Sequence, residues 1–182
     1  MTTPLPYRRV GDLTDQSLEE FLDSVGDDTP APGGGTSSAV TVALAAALVE
    51  MAARLGSDED AAEAARGMRT DSLRLAEEEL TSYGPVLKAE TPADRTTALD
   101  GASEPPAQIA ETAADVAELG VKVAGSSSPA VRGDALTGVI LAEAVAAAAA
   151  RLVGTNITSG PVFDRACAAA DRASKARESG TV

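Results

Sequence analysis

Alanine is the commonest residue of this chain, and Leu and Val supply most of its larger apolar volume. There are two Phe, two Tyr and no Trp among 182 residues. Protein interiors pack as densely as organic crystals, so a core of small side chains fills space only where backbones approach closely. Helices meet that demand, and apolar residues recur at helical spacing along most of the sequence, while the alternation of half-buried strands is missing. The expectation is an all-α helical bundle. It forms one domain over residues 1–182, with 1–11 and 178–182 as flexible ends.

The helix signals are local and frequent. Ser17-Leu18-Glu19-Glu20 reads as a capping box opening a short helix to about Val25. A small and apolar run, Thr36 to Leu55, predicts a long helix closed by Gly56. Ser57-Asp58-Glu59-Asp60 caps the next, which stops before Pro85. Thr91-Pro92 opens a shorter helix to about Ala102, and Pro105-Pro106 opens another that reaches Ala124. A loop at Gly125–Pro129 precedes a helix from about Ala130 to Val153. Gly154-Thr155-Asn156 is expected to break it, and Pro161 starts a terminal helix to about Arg177.

Ahead of the long apolar run stands Thr29-Pro30-Ala31-Pro32-Gly33-Gly34-Gly35. Three glycines can take positive φ and admit close approach to the backbone. Feeding a helix N-terminus, they would expose unpaired N–H groups suited to an anion. The plainer alternative is a loop that lets two helices pack closely.

Charge and residue absences narrow the chemistry. A net charge of −13 argues against nucleic acid and anionic membrane as partners. Met1 to Val10 has no apolar core of a targeting peptide, and the charge-free stretches Ala39–Val49 and Ala144–Ala150 are too short to span a bilayer. The lone Cys167 excludes an internal disulfide and suits a reducing cytoplasm. With no histidine, one chain cannot build a Ser-His-Asp triad or a His-ligated zinc, so no metal site is expected and acid–base work falls to Asp, Glu, Lys, Tyr or water.

Several polar residues interrupt the apolar helices. Glu50 has Arg54 four residues on, the favourable order for a solvated helix pair. Glu143, with no basic residue at i±4, sits either at the edge of a buried face or in a pocket with a raised pKa. Asp134 is read as a first-turn residue compensating the helix dipole. Asn156 could be a turn residue, and Lys88 and Arg95 ordinary surface charges.

Together these positions resemble the formiminotetrahydrofolate cyclodeaminase and methenyltetrahydrofolate cyclohydrolase family. The likeness lies in Ser17 to Leu22, in Thr29 to Thr36, and in Ala45 to Met51. It continues through Leu75-Ala76-Glu77-Glu78-Glu79, Val86-Leu87-Lys88, Arg95, Ala102 to Pro105, Gly125, Asp134 and Asn156. The chain departs from the pattern at Ser126, Gly133 and Leu152, where the family carries asparagine, serine and asparagine.

The resemblance implies an all-helical two-fold dimer acting on a one-carbon unit between N5 and N10 of tetrahydrofolate. Such an enzyme hydrolyses 5,10-methenyltetrahydrofolate to 10-formyltetrahydrofolate, or cyclises the 5-formimino adduct with loss of ammonia. The folate is substrate, and no further cofactor is implied. Carried over residue by residue, Asp134 becomes the candidate general base or electrostatic partner of the cationic carbon. Asn156 would orient water or pterin. Pro32, Gly33, Gly34 and Gly35 would present the binding loop, and Lys88 would meet anionic substrate groups. The rival reading is a non-catalytic helical dimer that binds folate or serves only structure, motivated by Ser126, Gly133 and Leu152.

Overall fold

The computed structural model describes residues 13–29 and 31–180, and every regular element among them is helical. A 3₁₀ turn, Leu13–Asp15, precedes α1 (Leu18–Gly26), α2 (Gly34–Leu55), α3 (Glu59–Ser82) and the short α4 (Gly84–Lys88). Then follow α5 (Pro92–Ser126), α6 (Pro129–Asn156) and α7 (Pro161–Gly180). The segment 1–11 expected to be flexible lies outside the described residues, as do 181 and 182. Residues 178–180, also expected to be loose, continue α7 instead. A Cβ on Gly180 would stand 3.1 Å from Val121 and 3.5 Å from Leu136, so this end is packed.

The capping box is present in both directions: the Glu20 N–H donates to Ser17 Oγ (3.2 Å) and the Ser17 N–H to Glu20 Oε2 (2.8 Å). Asp58 caps α3 by accepting the Ala61 N–H at 3.0 Å.

Two expected breaks are absent. Pro105 and Pro106 lie inside α5 rather than opening a helix. Neither can donate to the carbonyl one turn back. Packing outweighs that loss, because Ala102, Ser103, Pro106 and Ala107 are all buried, and Ser103 Oγ donates to the Leu99 carbonyl at 2.7 Å. Gly154-Thr155-Asn156 likewise continues α6 to its last residue. Thr155 Oγ1 donates back to the Arg151 carbonyl (3.0 Å) and the Ile157 N–H to Val153 (2.9 Å). Phe163 of α7 presses on Gly154, 3.6 Å from where a Cβ would stand.

The centre of the bundle is where α2, α5 and α6 touch through glycine. A Cβ on Gly138 would stand 2.9 Å from the Ala45 carbonyl and 3.1 Å from Val49; on Gly120 it would meet Val139 at 2.7 Å and Val49 at 3.1 Å. Gly34 faces Leu152 and Gly138 faces Leu48, so α2 and α6 run antiparallel. Around this contact the core is mostly Ala and Val, with Leu75 and Ile109 its largest fully buried side chains. Small residues bring the axes together, as the composition demands.

Glu50 is not the solvated pair its spacing suggests. Its residue is 8% exposed and its carboxylate accepts from Arg54 (2.6 Å) and from Arg69 of α3 (3.0 Å), tying α2 to α3. Glu143 gains the partner its own helix lacks, accepting from Arg177 of α7 at 2.9 Å. By length and composition both α2 and α6 are apolar enough to cross a bilayer, a property the shorter charge-free stretches conceal.

Candidate active site at the start of α2

One end of the bundle gathers the start of α2 and the ends of α3 and α6. Gly33 is the N-cap of α2 and, among the described residues, no side chain makes the N-cap hydrogen bond, so the first-turn N–H groups face this end. None of Gly33, Gly34 or Gly35 has positive φ. Gly34 and Gly35 belong to the first turn of the helix itself, which starts two residues earlier than expected. Glycine is required here for closeness, not for backbone conformation.

The group that comes close is Glu79. A Cβ built on Gly35 would overlap its Oε1, Cδ and Cγ, so the carboxyl lies in the volume where any other residue would carry a side chain. Ser82 Oγ donates both to the Glu79 main-chain carbonyl (3.1 Å) and to Oε2 (3.3 Å). Burial against α2 pushes the Glu79 carboxyl up from 4.5 to about 7, and the Ser82 hydroxyl only partly offsets it. A half-buried carboxyl that titrates near neutrality can take or give a proton at physiological pH.

The expected site residues divide. Gly33 is half-buried, Gly34 exposed and Gly35 buried. Pro32 is buried behind them, after a cis Ala31-Pro32 bond. Asn156 is half-buried at the last turn of α6, four residues beyond the Leu152 that contacts Gly34, and so shares this end. Lys88 is the exposed last residue of α4, which follows directly on the Ser82 that binds Glu79. Asp134 is elsewhere. It is exposed in the second turn of α6, not the first. At 1.5 Å per residue it lies about 27 Å along the helix from Leu152.

Glu79 itself is not singled out by sequence spacing alone, because it ends the run Glu77-Glu78-Glu79. Its phase is the available signal: Glu79 follows Ser72, Leu75 and Ala76 at helical spacing and precedes Leu80, all of them buried, whereas Glu77 and Glu78 point outward. A shallow depression lined by Ala47, Glu50, Met51, Arg54 and Leu55 lies along α2 toward its other end.

The model of the formiminotransferase-cyclodeaminase family matches residues 17–174. In fold the chain is similar to the crystal structure of formiminotetrahydrofolate cyclodeaminase from Thermotoga maritima, with a TM-score of 0.82, 24% sequence identity and 92% of each chain covered. No curated protein matches the chain. The family match takes in α1 through most of α7, including the glycine start of α2 and Glu79, and on that extent the chain belongs to the formiminotransferase-cyclodeaminase family.

Proposed function

We propose that this chain is a folate one-carbon enzyme that hydrolyses 5,10-methenyltetrahydrofolate to 10-formyltetrahydrofolate, with Glu79 as the proton-transfer group. The observation that carries the reading is the Glu79 carboxyl seated on Gly35, at the uncapped start of α2. In its ionised form Glu79 accepts a proton from water as the water oxygen bonds to the methenyl carbon. The resulting tetrahedral carbon bears a hydroxyl between N5 and N10. Glu79 then returns the proton to N5 as the carbon–N5 bond breaks, and the hydroxyl proton leaves to solvent as the formyl carbonyl forms. The chemistry as proposed calls for no metal or redox cofactor.

The surrounding groups take supporting roles in this reading. Backbone N–H groups of Gly34 and Gly35 favour negative charge beside them. Asn156 orients water or pterin, and Lys88 meets anionic groups of the folate tail. Cyclodeamination of the 5-formimino adduct passes through the same kind of tetrahedral carbon, with ammonia as leaving group. The likeness to a formiminotetrahydrofolate cyclodeaminase supports that direction as well.

A second reading rests on Leu152. It places an apolar side chain against Gly34, where the Cβ position is 3.7 Å from Leu152 Cδ2, while the family pattern has asparagine. In that reading the chain binds folate without turnover.

One experiment separates these. Decay of the methenyl near-UV absorbance is followed with wild type and Glu79→Gln, beside the buffer-catalysed rate, and ammonia release is followed from the formimino adduct. Catalysed decay lost on Glu79→Gln supports the hydrolase. Ammonia release alone selects the cyclodeaminase, and folate binding with neither activity selects the second reading.

A further inference from the structure

The two oxygens of the Glu79 carboxyl are held unequally. Oε2 accepts from Ser82 Oγ at 3.3 Å, whereas Oε1 accepts from no donor among the described residues. Oε1 is not sealed off either, since every buried side-chain oxygen among those residues has a partner. It lies against the start of α2, in the volume that a Cβ on Gly35 would fill. One oxygen is thus tied to α3 and the other left open beside α2.

Ser82 is itself divided between two acceptors. Ser24, Ser72, Ser103 and Ser179 each donate to one main-chain carbonyl at 2.7 Å. Ser82 Oγ stands 3.1 Å from the Glu79 carbonyl and 3.3 Å from Oε2, so its one proton is shared between them. A hydroxyl that only closed off the end of α3 would sit at the shorter distance. Hydrogen bonds to an ionised acceptor are roughly twice as strong as neutral ones. The hydroxyl therefore turns to the carbonyl when Glu79 is protonated and to Oε2 when it is ionised.

We propose that Ser82 is the positioning residue of the proton transfer: its hydroxyl holds the charge on Oε2 and leaves Oε1, beside α2, to take and return the proton. This role rests on the proposed folate chemistry. Oε1 takes the water proton as the water oxygen bonds to the methenyl carbon, and Ser82 relaxes to the Glu79 carbonyl. When Oε1 gives that proton to N5, Ser82 swings back to Oε2, keeping its own proton throughout. No charged side chain stands in for it. From Gly34 to Val49, α2 carries none; Arg74 is paired with Glu78; and Asp15, Lys88, Asp94, Arg95 and Asp100 are exposed. Burial and the Ser82 hydroxyl are what displace the carboxyl from its ordinary range.

Ser82→Ala removes the hydroxyl and Ser82→Thr retains one. The coupling is read without substrate, from the ¹³C carboxyl signal that is lost in Glu79→Gln. In Ser82→Ala that signal titrates with a midpoint roughly one pH unit above wild type, and in Ser82→Thr the midpoint returns toward wild type. An unmoved midpoint in Ser82→Ala, or a threonine variant that titrates as the alanine variant does, overturns the coupling. The role in the reaction is read from the pH profile of methenyl hydrolysis. There kcat/KM of Ser82→Ala rises through the same raised midpoint and levels off roughly tenfold below wild type, because the ionised carboxylate is no longer oriented. A plateau equal to wild type overturns the positioning role. Absence of turnover in a folded wild type overturns the folate reading and, with it, that role, while the coupling between Ser82 and Glu79 is decided by the titration.

Discussion

Gly35 and Glu79 form one unit, and each gives the other its meaning. Gly35 reads in the sequence as one of three glycines, and the structure shows that the third is the tight one: Gly34 meets Leu152 at ordinary contact distance, whereas Gly35 has no room for a Cβ. Gly35→Ala is compatible with the helix and should leave stability within about 1 kcal/mol, since the helix gain from alanine is offset by moving the flexible end of Glu79. Turnover of the methenyl substrate should fall to the level of Glu79→Gln, roughly 10²–10⁴-fold below wild type; an unchanged rate would separate the glycine from the chemistry. Glu79 also predicts a pH effect on stability. Its folded pKa of about 7 lies above the ordinary 4.5, so the folded state holds the proton over that window and stability falls as pH rises through it. Glu79→Gln should therefore melt higher than wild type at pH 8 and show no such gain at pH 4. Equal melting temperatures at pH 8 would mean that the carboxyl is not desolvated. The functional rise runs the opposite way, with kcat/KM increasing through about pH 7 as Glu79 ionises.

Among the elements, α7 is held differently from the rest. Its buried residues are four alanines, Ala166, Ala169, Ala173 and Ala176, so little apolar area anchors it. Arginines do that work. Arg165 donates to Glu111 (2.8 Å) and Glu104 (3.0 Å), and Arg172 to Asp115 (2.6 Å) and Glu118 (2.9 Å), along one side of α5. These groups are partly exposed, so each pair contributes modestly and is screened by salt. Arg165→Met should cost roughly 1 kcal/mol at low ionic strength, and the difference should shrink in 1 M NaCl. A salt-independent loss would assign it to packing of the arginine stem instead. Glu104 is held below its ordinary value of 4.5 mainly by the Gln108 hydrogen bond and then by Arg165, and Glu118 mainly by Arg172. Both folded values are depressed, so their contribution is complete above 4.5 and is lost as pH falls through the lowered values. Protection of α7 amides against hydrogen exchange should be lost first as pH falls below 4.5. This clamp was not legible from spacing within one helix, because its partners lie more than fifty residues apart. The element boundaries misread at Pro105-Pro106 and Gly154 have the same origin: buried neighbours from another helix outweighed the local signal.

At the scale of the whole molecule, composition carried the fold class. An interior of Ala and Val with few aromatics can close only as tightly packed helices, and the described residues contain no other regular element. What composition could not supply was which helices cross where, because that depends on single glycines. Gly138 is the sharpest case. The nearest atom to an added Cβ is the Ala45 backbone carbonyl at 2.9 Å, with Val49 at 3.1 Å. Backbone cannot rotate away as a side chain can, so Gly138→Ala must push α2 and α6 apart. In an open helix the same change would stabilise by about 0.5–1 kcal/mol. Here overpacking should reverse the sign and cost about 1–3 kcal/mol, a fall of roughly 2–4 °C in Tm for each kcal/mol in a chain of this size. Gly67, whose added Cβ would meet nothing within 4 Å, supplies the control: Gly67→Ala in α3 should raise Tm slightly. The two helices that Gly138 holds together also set Gly34 against Leu152 at the far end of the same contact. Gly138→Ala should therefore lower turnover even at temperatures where it remains folded. A variant that melts as wild type does would show that α2 and α6 can separate freely, and that the glycine crossing does not fix the geometry of the site.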